Sequence, residues 1–421
     1  MAHNATDYEA VLQDYYTDDK IKEQVFAEEP FYAMVPKEKA GGKRYVQPVR
    51  YAAPGGASAV FGTAKTNANS SKSKYEDFLI SRSKQYQSVV VENELLYATN
   101  SPRDSFKKAF DEFDDGFKAL GEKIGRRLFR SQGGAIAKLA IASTTTTTLE
   151  FADKADVFNF EVGMQLQFSA TNGTGSLHNS GATVEVAEVD YETGEVEIDG
   201  DLVTAVAAVT TTSYVFQEGD YGACLSGIDD WIPVDDRATR LAASFHGVSS
   251  RAANPVRLGG VYMDGTAMGG LDEVLIKLCG KIGKHGGRTT HIFANPETLT
   301  DLQLTSNAKM LLPQEIYTTM KSSSGEVLVG FSGYKVQIGA RTVKVYGARS
   351  CPSNRIHALQ MDTWKLYHAG KIINWLGEEW TDDKLTRHAT EDAMLADLGV
   401  YCNLGCSAPA WNGTAKITPS T

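Results

Sequence analysis

Ser101-Pro-Arg-Asp-Ser-Phe106-Lys-Lys-Ala-Phe110-Asp-Glu-Phe113-Asp-Asp-Gly-Phe117-Lys-Ala-Leu120-Gly-Glu-Lys-Ile124-Gly-Arg-Arg-Leu128 is the most regular stretch of the chain. Phe106, Phe110, Phe113, Phe117, Leu120, Ile124 and Leu128 are spaced by 4, 3, 4, 3, 4 and 4 positions, one apolar stripe along a helix. Ser101 suits the N-cap and Pro102 the first turn, and Asp104 complements the positive helix end. Arg126, Arg127 and Arg130 fall where the C-terminal end favours cations, and Gly133-Gly134 stops the helix. The spacing predicts a helix over 102–132, about 45 Å long at 1.5 Å per residue. Four phenylalanines in succession fill a regular two-stranded seam badly, so the stripe is expected to lie across a sheet.

Upstream lies a short acidic lead, residues 1–40, with a helix expected near Tyr8–Tyr16 and breaks at Pro30 and Pro36. Arg44-Tyr-Val-Gln-Pro-Val-Arg-Tyr and Ser88-Val-Val-Val-Glu read as strands. The tract between them, Pro54 to Lys74, is Gly, Ala, Ser, Asn and Lys with almost nothing to bury. Residues 41–92 are therefore expected to form a long hairpin whose tip cannot pack on its own chain and waits for a partner. Lys43, Arg44, Arg50, Lys65, Lys72 and Lys74 fall between Gly41 and Lys74, with no acid among them.

Downstream the period changes to two. Thr183-Val-Glu-Val-Ala-Glu-Val and Val196-Glu-Ile flank a glycine turn, and Phe160–Phe168 and Ser213-Tyr-Val-Phe add strands. Residues 143–220 are expected to form a small β-barrel or sandwich, opened by the threonines Thr144–Thr148 and inserted into a host domain. From Glu150 to Asp236 there are eighteen acids and one lysine, a net of −17, which leaves +7 of the total −10 to the rest of the chain. Asp190, Glu192, Asp199 and Asp201 do not follow a calcium loop, because Glu195 stands where the loop needs glycine.

After Gly227 the chain is mixed α and β. Leu271, Val274, Leu275, Leu278 and Ile282 make a helical stripe, His291-Ile-Phe-Ala a buried strand, and Asn295-Pro296 a capped helix start. Tyr334–Ile338 and Thr342–Tyr346 pair as a hairpin, and Gly399–Leu404 closes with a strand.

Composition narrows the function classes. With 421 residues, 42% hydrophobic and 22% charged, the chain is a folded protein of more than one core. No apolar run approaches the roughly 18 residues of a spanning helix. The five cysteines are scattered and read as reduced structural thiols; Cys402 and Cys406 lack the second ligand pair of a zinc site. There is no phosphate loop, nucleophile elbow or zinc-protease motif, and the histidines are isolated, so neither an enzyme nor a cofactor is expected. Tyr45, Tyr51 and Phe61 beside the basic tract are too few to read as a nucleic-acid platform.

The order of elements is then informative: a short arm, a long basic hairpin, a long aromatic-striped helix and a mixed α/β region. In that order the chain resembles the major capsid proteins of tailed double-stranded DNA bacteriophages, with the Hong Kong 97-type fold. Gly270-Leu-Asp-Glu-Val-Leu-Ile, His291-Ile-Phe-Ala-Asn-Pro, Leu359-Gln-Met-Asp-Thr-Trp-Lys-Leu-Tyr and Leu404-Gly-Cys-Ser-Ala-Pro-Ala-Trp-Asn-Gly are similar to a siphophage subgroup with a β-insertion after the helix.

The resemblance implies an α+β fold: N-terminal arm 1–40, extended loop 41–92, peripheral domain 93–142 around the spine helix, inserted acidic β-domain 143–220, and an axial domain with returning peripheral strands over 221–421. It further implies self-assembly into hexamers and pentamers of an icosahedral shell, in a virion built in the host bacterial cytoplasm. The shell would enclose double-stranded DNA without sequence-specific recognition and without a membrane. The expected partners are a separate scaffolding protein, because only about 40 residues precede the hairpin, then a portal, and optionally a decoration protein.

Lys43, Arg44, Arg50, Phe61, Lys65, Lys72 and Lys74 would then make intersubunit contact. An isopeptide cross-link from Lys65 or Lys72 to an asparagine such as Asn412 is conceivable in such a family, and an encapsulin-like cargo shell is the alternative reading of the same fold. The acidic module would project from the outer surface, away from packaged DNA.

Overall fold

The computed structural model describes residues 29–92, 102–140, 147–268, 270–305, 311–322, 325–338, 341–370, 373–376, 386–387 and 390–418. The side chains of 91–92, 102–114, 303–305, 311–335, 337–338 and 341 lie outside that description. The helix expected near Tyr8–Tyr16 also lies outside it.

Among the described residues, chain order begins with helix α1 (Pro30–Met34) and strand β1 (Lys37–Lys39). Strand β2 (Tyr45–Ala52), helix α2 (Phe61–Ser70), strand β3 (Lys74–Ile80) and strand β4 (Ser83–Glu92) follow, and then helix α3 (Pro102–Phe129). The spine helix is thus 28 residues long and stops three short of the expected end, because the chain turns into the strand Ala135–Lys138. Phe117, Leu120, Ile124 and Leu128 are fully buried, as the stripe requires. Phe106, Phe110 and Phe113 fall on α3, but their side chains lie outside the described residues.

The stripe lies against a six-stranded sheet whose centre is the long strand Ala393–Cys406, flanked by Trp364–His368 and β4. Phe117 meets Trp375 edge-on at 5.4 Å, and a Cβ at Gly116 would overlap Val89 of β4, so glycine permits the close approach of helix to strand. Phe129 is also fully buried, 5.3 Å from Phe31 and 6.2 Å from Phe293. One continuous core therefore joins α1, the hairpin root, α3 and the C-terminal strands.

A second six-stranded sheet runs Ala135–Lys138, Tyr214–Gln217, Gln165–Ser169, Val184–Asp190, Glu195–Ile198, Thr148–Glu150 and has its own apolar core from Ile136 to Val215. The strand at 135–138 belongs to it, although sequence grouped those residues with the spine helix. Phe160–Phe168 is a strand only from Gln165, because residues 161–164 form a turn closed by Met164 N donating to Glu161 O at 3.2 Å. The Val184–Asp190 and Glu195–Ile198 pairing is the hairpin read from alternation, with Gly194 at φ +78° in its turn.

The third sheet has seven strands in the order Val261–Asp264, Gly413–Lys416, Arg355–Leu359, His291–Ala294, Arg341–Gly347, Gly325–Ile338, Leu311–Ser322. The expected pairing of Tyr334–Ile338 with the next strand is present, from Tyr334 opposite Val345 to Ile338 opposite Arg341. Helix α4 (Leu271–Lys284) covers this sheet with Val274, Leu275, Leu278 and Ile282. The architecture is α+β, as the sequence indicated.

One buried acid fastens the start of the described chain. Glu29, 2% exposed at the head of α1, accepts a hydrogen bond from Ser350 Oγ; its second oxygen has no partner among the described residues, and a Cβ at Gly125 would overlap it. Burial, only partly offset by the Ser350 hydrogen bond, pushes its carboxyl from an ordinary 4.5 up to about 8, with Glu122, Arg126 and Arg349 as its charged surroundings. The folded state therefore holds a proton that the unfolded chain releases, and stability falls as pH rises from about 4.5 to about 8. Glu29→Gln removes that fall: in urea unfolding the variant gains on the order of 4 kcal/mol over the parent at pH 8 and nothing at pH 4. A parallel pH dependence in parent and variant contradicts the assignment.

Candidate assembly interface

β2 and β3 pair antiparallel from Tyr45 opposite Ile80 to Arg50 opposite Tyr75. This corrects the sequence reading of the hairpin. Its returning arm is Lys74–Ile80, whereas Ser88–Glu92 belongs to β4, which pairs with Ala393–Cys402. Two β-rich runs separated by Ser81-Arg82 look alike in propensity, and only the long-range pairing tells them apart.

The root of the hairpin is firmly held. Tyr45 stacks on Tyr367 at 3.8 Å, and Phe78 packs on Trp231 at 5.0 Å and Phe245 at 6.0 Å. Gln47 accepts from Tyr367 OH at 3.0 Å, Leu79 N donates to His246 O at 2.6 Å, and Asn254 Nδ2 donates to Tyr51 O at 3.0 Å. The side chains on that face, Val49, Phe78 and Ile80, are buried. Those on the other face, Val46, Pro48, Arg50 and Tyr75, are exposed. This alternation is the period of two that a half-buried pair of strands must show.

Beyond the root the support ends. No residue from 50 to 77 is buried, and α2, which caps a tract read as structureless, has no buried residue at all. Phe61 is 76% exposed, with Lys65 Nζ 4.8 Å from its ring centre; its neighbour Val60, and Tyr75 on β3, are exposed too. Lys43, Arg44, Arg50, Lys65, Lys72 and Lys74 are all exposed, and none forms an ion pair among the described residues. Of the seven hairpin residues singled out by sequence, Phe61, Lys65, Lys72 and Lys74 lie on the unsupported tip, Arg50 on the open face of β2, and Lys43 and Arg44 just before the root. Val46, Val60 and Tyr75 were missed; the parity of Val46 against Val49 is the signal that assigns Val46 to the open face.

The other end of the spine helix carries a function that sequence did not foresee. Its terminal arginines reach into the second sheet and do more than balance the helix dipole. Arg126 Nη1 donates to Asn159 O at 2.6 Å, Arg127 Nη2 lies 2.5 Å from Asp220, and Arg130 Nη2 lies 2.5 Å from Asp156. Burial pushes the Asp156 carboxyl up to about 6 in spite of Arg130. Asp229 is buried too, yet Arg240 and Arg355 hold it down to about 2. Asp230 and Asp235 are likewise paired, with Arg240 and with Arg355 and Lys416. The −17 counted along the sequence is therefore no uniform surface charge: Asp156 and Asp220 pair with spine-helix arginines, and Asp229, Asp230 and Asp235 with Arg240, Arg355 and Lys416.

No protein-family model and no curated protein matches the chain. Solved structures do. A chain from Mycobacterium phage Bobi aligns at 10% identity and TM-score 0.43 over 99% of each chain. A chain of the cyanophage A-1(L) capsid asymmetric unit aligns at 13% and 0.47 over 93% of each. The holo-SrpI encapsulin complex from Synechococcus elongatus PCC 7942 aligns at 8% and 0.39, over 99% of this chain and 96% of that one.

Asn412 does not suit the cross-link considered above. It is fully buried, its Oδ1 accepts from Gln360 N and Trp364 Nε1, both at 2.8 Å, and its Nδ2 donates to Thr363 Oγ1 at 2.8 Å. It braces the chain between two sheets and presents no amide to a neighbour's lysine. All five cysteines are unpaired. Among the described residues no group of three or more His, Cys, Asp or Glu could hold a metal, and no helix is long and apolar enough to cross a membrane.

Proposed function

We propose that this chain is the major capsid subunit of a tailed double-stranded DNA phage, assembling with its own copies into an icosahedral shell of hexamers and pentamers. The observation that carries the reading is the hairpin. Its root is locked into the main core, while its tip offers exposed Phe61, Val60 and Tyr75 among cations that form no ion pair within the described residues. A monomer gains nothing from such an element, whereas a lattice that repeats one contact many times does.

The order of arm, hairpin, spine helix and α/β sheet supports the same reading, and it fits a structural role without catalysis. In this reading the residues from 135 to 217 are an insertion carried on the spine helix, and the seven-stranded sheet belongs to the axial part. A separate scaffolding protein and a portal complete assembly in the host bacterial cytoplasm, and the virion encloses DNA through charge and volume, without base recognition.

The test is expression of the full chain with and without a candidate scaffolding protein, followed by sedimentation and nuclease treatment. Shell-sized particles that form with the scaffold, and that protect double-stranded DNA when taken from infected cells, support the proposal. Shells that enclose only protein favour the encapsulin-like alternative. A chain that stays monomeric under every condition overturns both.

A further inference from the structure

The second sheet carries the counterpart of the hairpin tip. Phe158 and Tyr191 stack at 5.4 Å in the open, and Val162 beside them is 67% exposed. Tyr191 OH donates to Phe160 O at 3.3 Å, which fixes the ring on the 161–164 turn; that turn in turn pairs with the strand Val184–Asp190 through Gly163 N and Val186 O at 2.8 Å. Exposed Glu161 sits in that turn, exposed Asp190 and Glu192 flank Tyr191 in sequence, exposed Glu188 and Glu197 lie on the two strands of the same hairpin, and Lys154 lies against Gly194.

Glu188 lies directly opposite Glu197 in the ladder, and Asp190 opposite Glu195. Like charges across a strand pair destabilise by a few tenths of a kcal/mol to about 1 kcal/mol. Among the described residues no cation forms an ion pair with Glu188, Glu192 or Glu197. The strand pair therefore carries an uncompensated repulsion that an outside cation would relieve.

The hairpin tip has the reverse composition: exposed Phe61 and Tyr75, with Lys65, Lys72 and Lys74 and no acid between Gly41 and Lys74. We propose that the Phe158–Tyr191 face of one subunit receives the hairpin tip of a second copy of this chain, aromatic against aromatic and lysine against glutamate. The inference rests on the shell reading above and names the surface that the hairpin meets. Donor and acceptor are different patches on the same chain, so the contact is head-to-tail and propagates from copy to copy, as a ring or lattice requires. Its ionic part is screened by salt, while its aromatic part is not.

The test is a charge swap in the full chain. Lys65→Glu, Lys72→Glu and Lys74→Glu together form the tip variant; Glu188→Lys, Glu192→Lys and Glu197→Lys together form the face variant. Each alone is expected to raise the concentration needed for particle formation at least tenfold at low salt, and the six-fold combined variant to restore it to near the parent value. Circular dichroism and thermal melting of each variant separate lost docking from lost folding. If the face variant assembles like the parent, or the combined variant stays as defective as the tip variant, the docking surface is elsewhere while the shell reading stands. If the parent itself never forms particles, the shell reading fails first and this inference with it.

Discussion

Lys43→Glu, Arg44→Glu and Arg50→Glu, made together, are expected to abolish particle formation while leaving the subunit folded. All three cations are exposed on the hairpin and none is ion-paired within the described chain. Their reversal therefore removes no ion pair among the described residues, and surface changes of this kind cost the monomer little, within about 0.5 kcal/mol. Each reversed charge at an interface turns an attraction into a repulsion, on the order of 1 kcal/mol at moderate salt. Three such changes at every repeat of a lattice contact lower the association constant per contact by two orders of magnitude or more. The measurement is sedimentation of particles beside urea unfolding of the monomer. Unchanged unfolding with lost particles is the expected pair of results; normal particles would show that these cations face solvent in the assembly.

Breaking the clamp between the spine helix and the second sheet is expected to cost nearly as much, but in folding. Arg127 is 1% exposed, donates to Gly134 O at 2.6 Å and lies 2.5 Å from Asp220, which Lys123 also approaches at 3.3 Å. Removing one partner of a buried pair strands the other charge, so Asp220→Ala or Arg127→Met lowers stability by about 3–5 kcal/mol. The double variant Arg127→Met with Asp220→Ala leaves neither partner of the Arg127–Asp220 pair stranded and should lose less than the sum of the two single changes. Denaturant unfolding of all four proteins checks this. Additive losses would mean that the two groups do not act as a pair.

The sequence made the spine helix legible because a 3.6-residue period needs no distant partner to be recognised: Phe117, Leu120, Ile124 and Leu128 are buried where the stripe puts them. The same holds for the stripe of α4 and for the hairpin around Gly194. Reading failed where the outcome depended on pairing at long range. The arm that closes the basic hairpin and the strand β4 beyond it share one composition, and the choice was made by Ala393–Cys406, some 300 residues away.

The charge map shows a different limit. Counting residues found the acidic segment, but Asp156, Asp220 and Asp229 are drawn inside by Arg130, Arg127 and Arg355, and no local pattern announces such pairs. The interface residues were legible for the opposite reason: a long polar, cationic tract with Phe61 and nothing to bury is visible without any partner at all.

The most direct measurement of the central claim is electron microscopy of particles purified from the full chain. The expected result is closed icosahedral shells built of hexamers and pentamers, in which the Tyr45–Ile80 hairpin of each subunit lies on its neighbour and the spine helix on its own sheet. A map in which the hairpin folds back on its own subunit, or fields showing monomers alone at every concentration and salt, would contradict it.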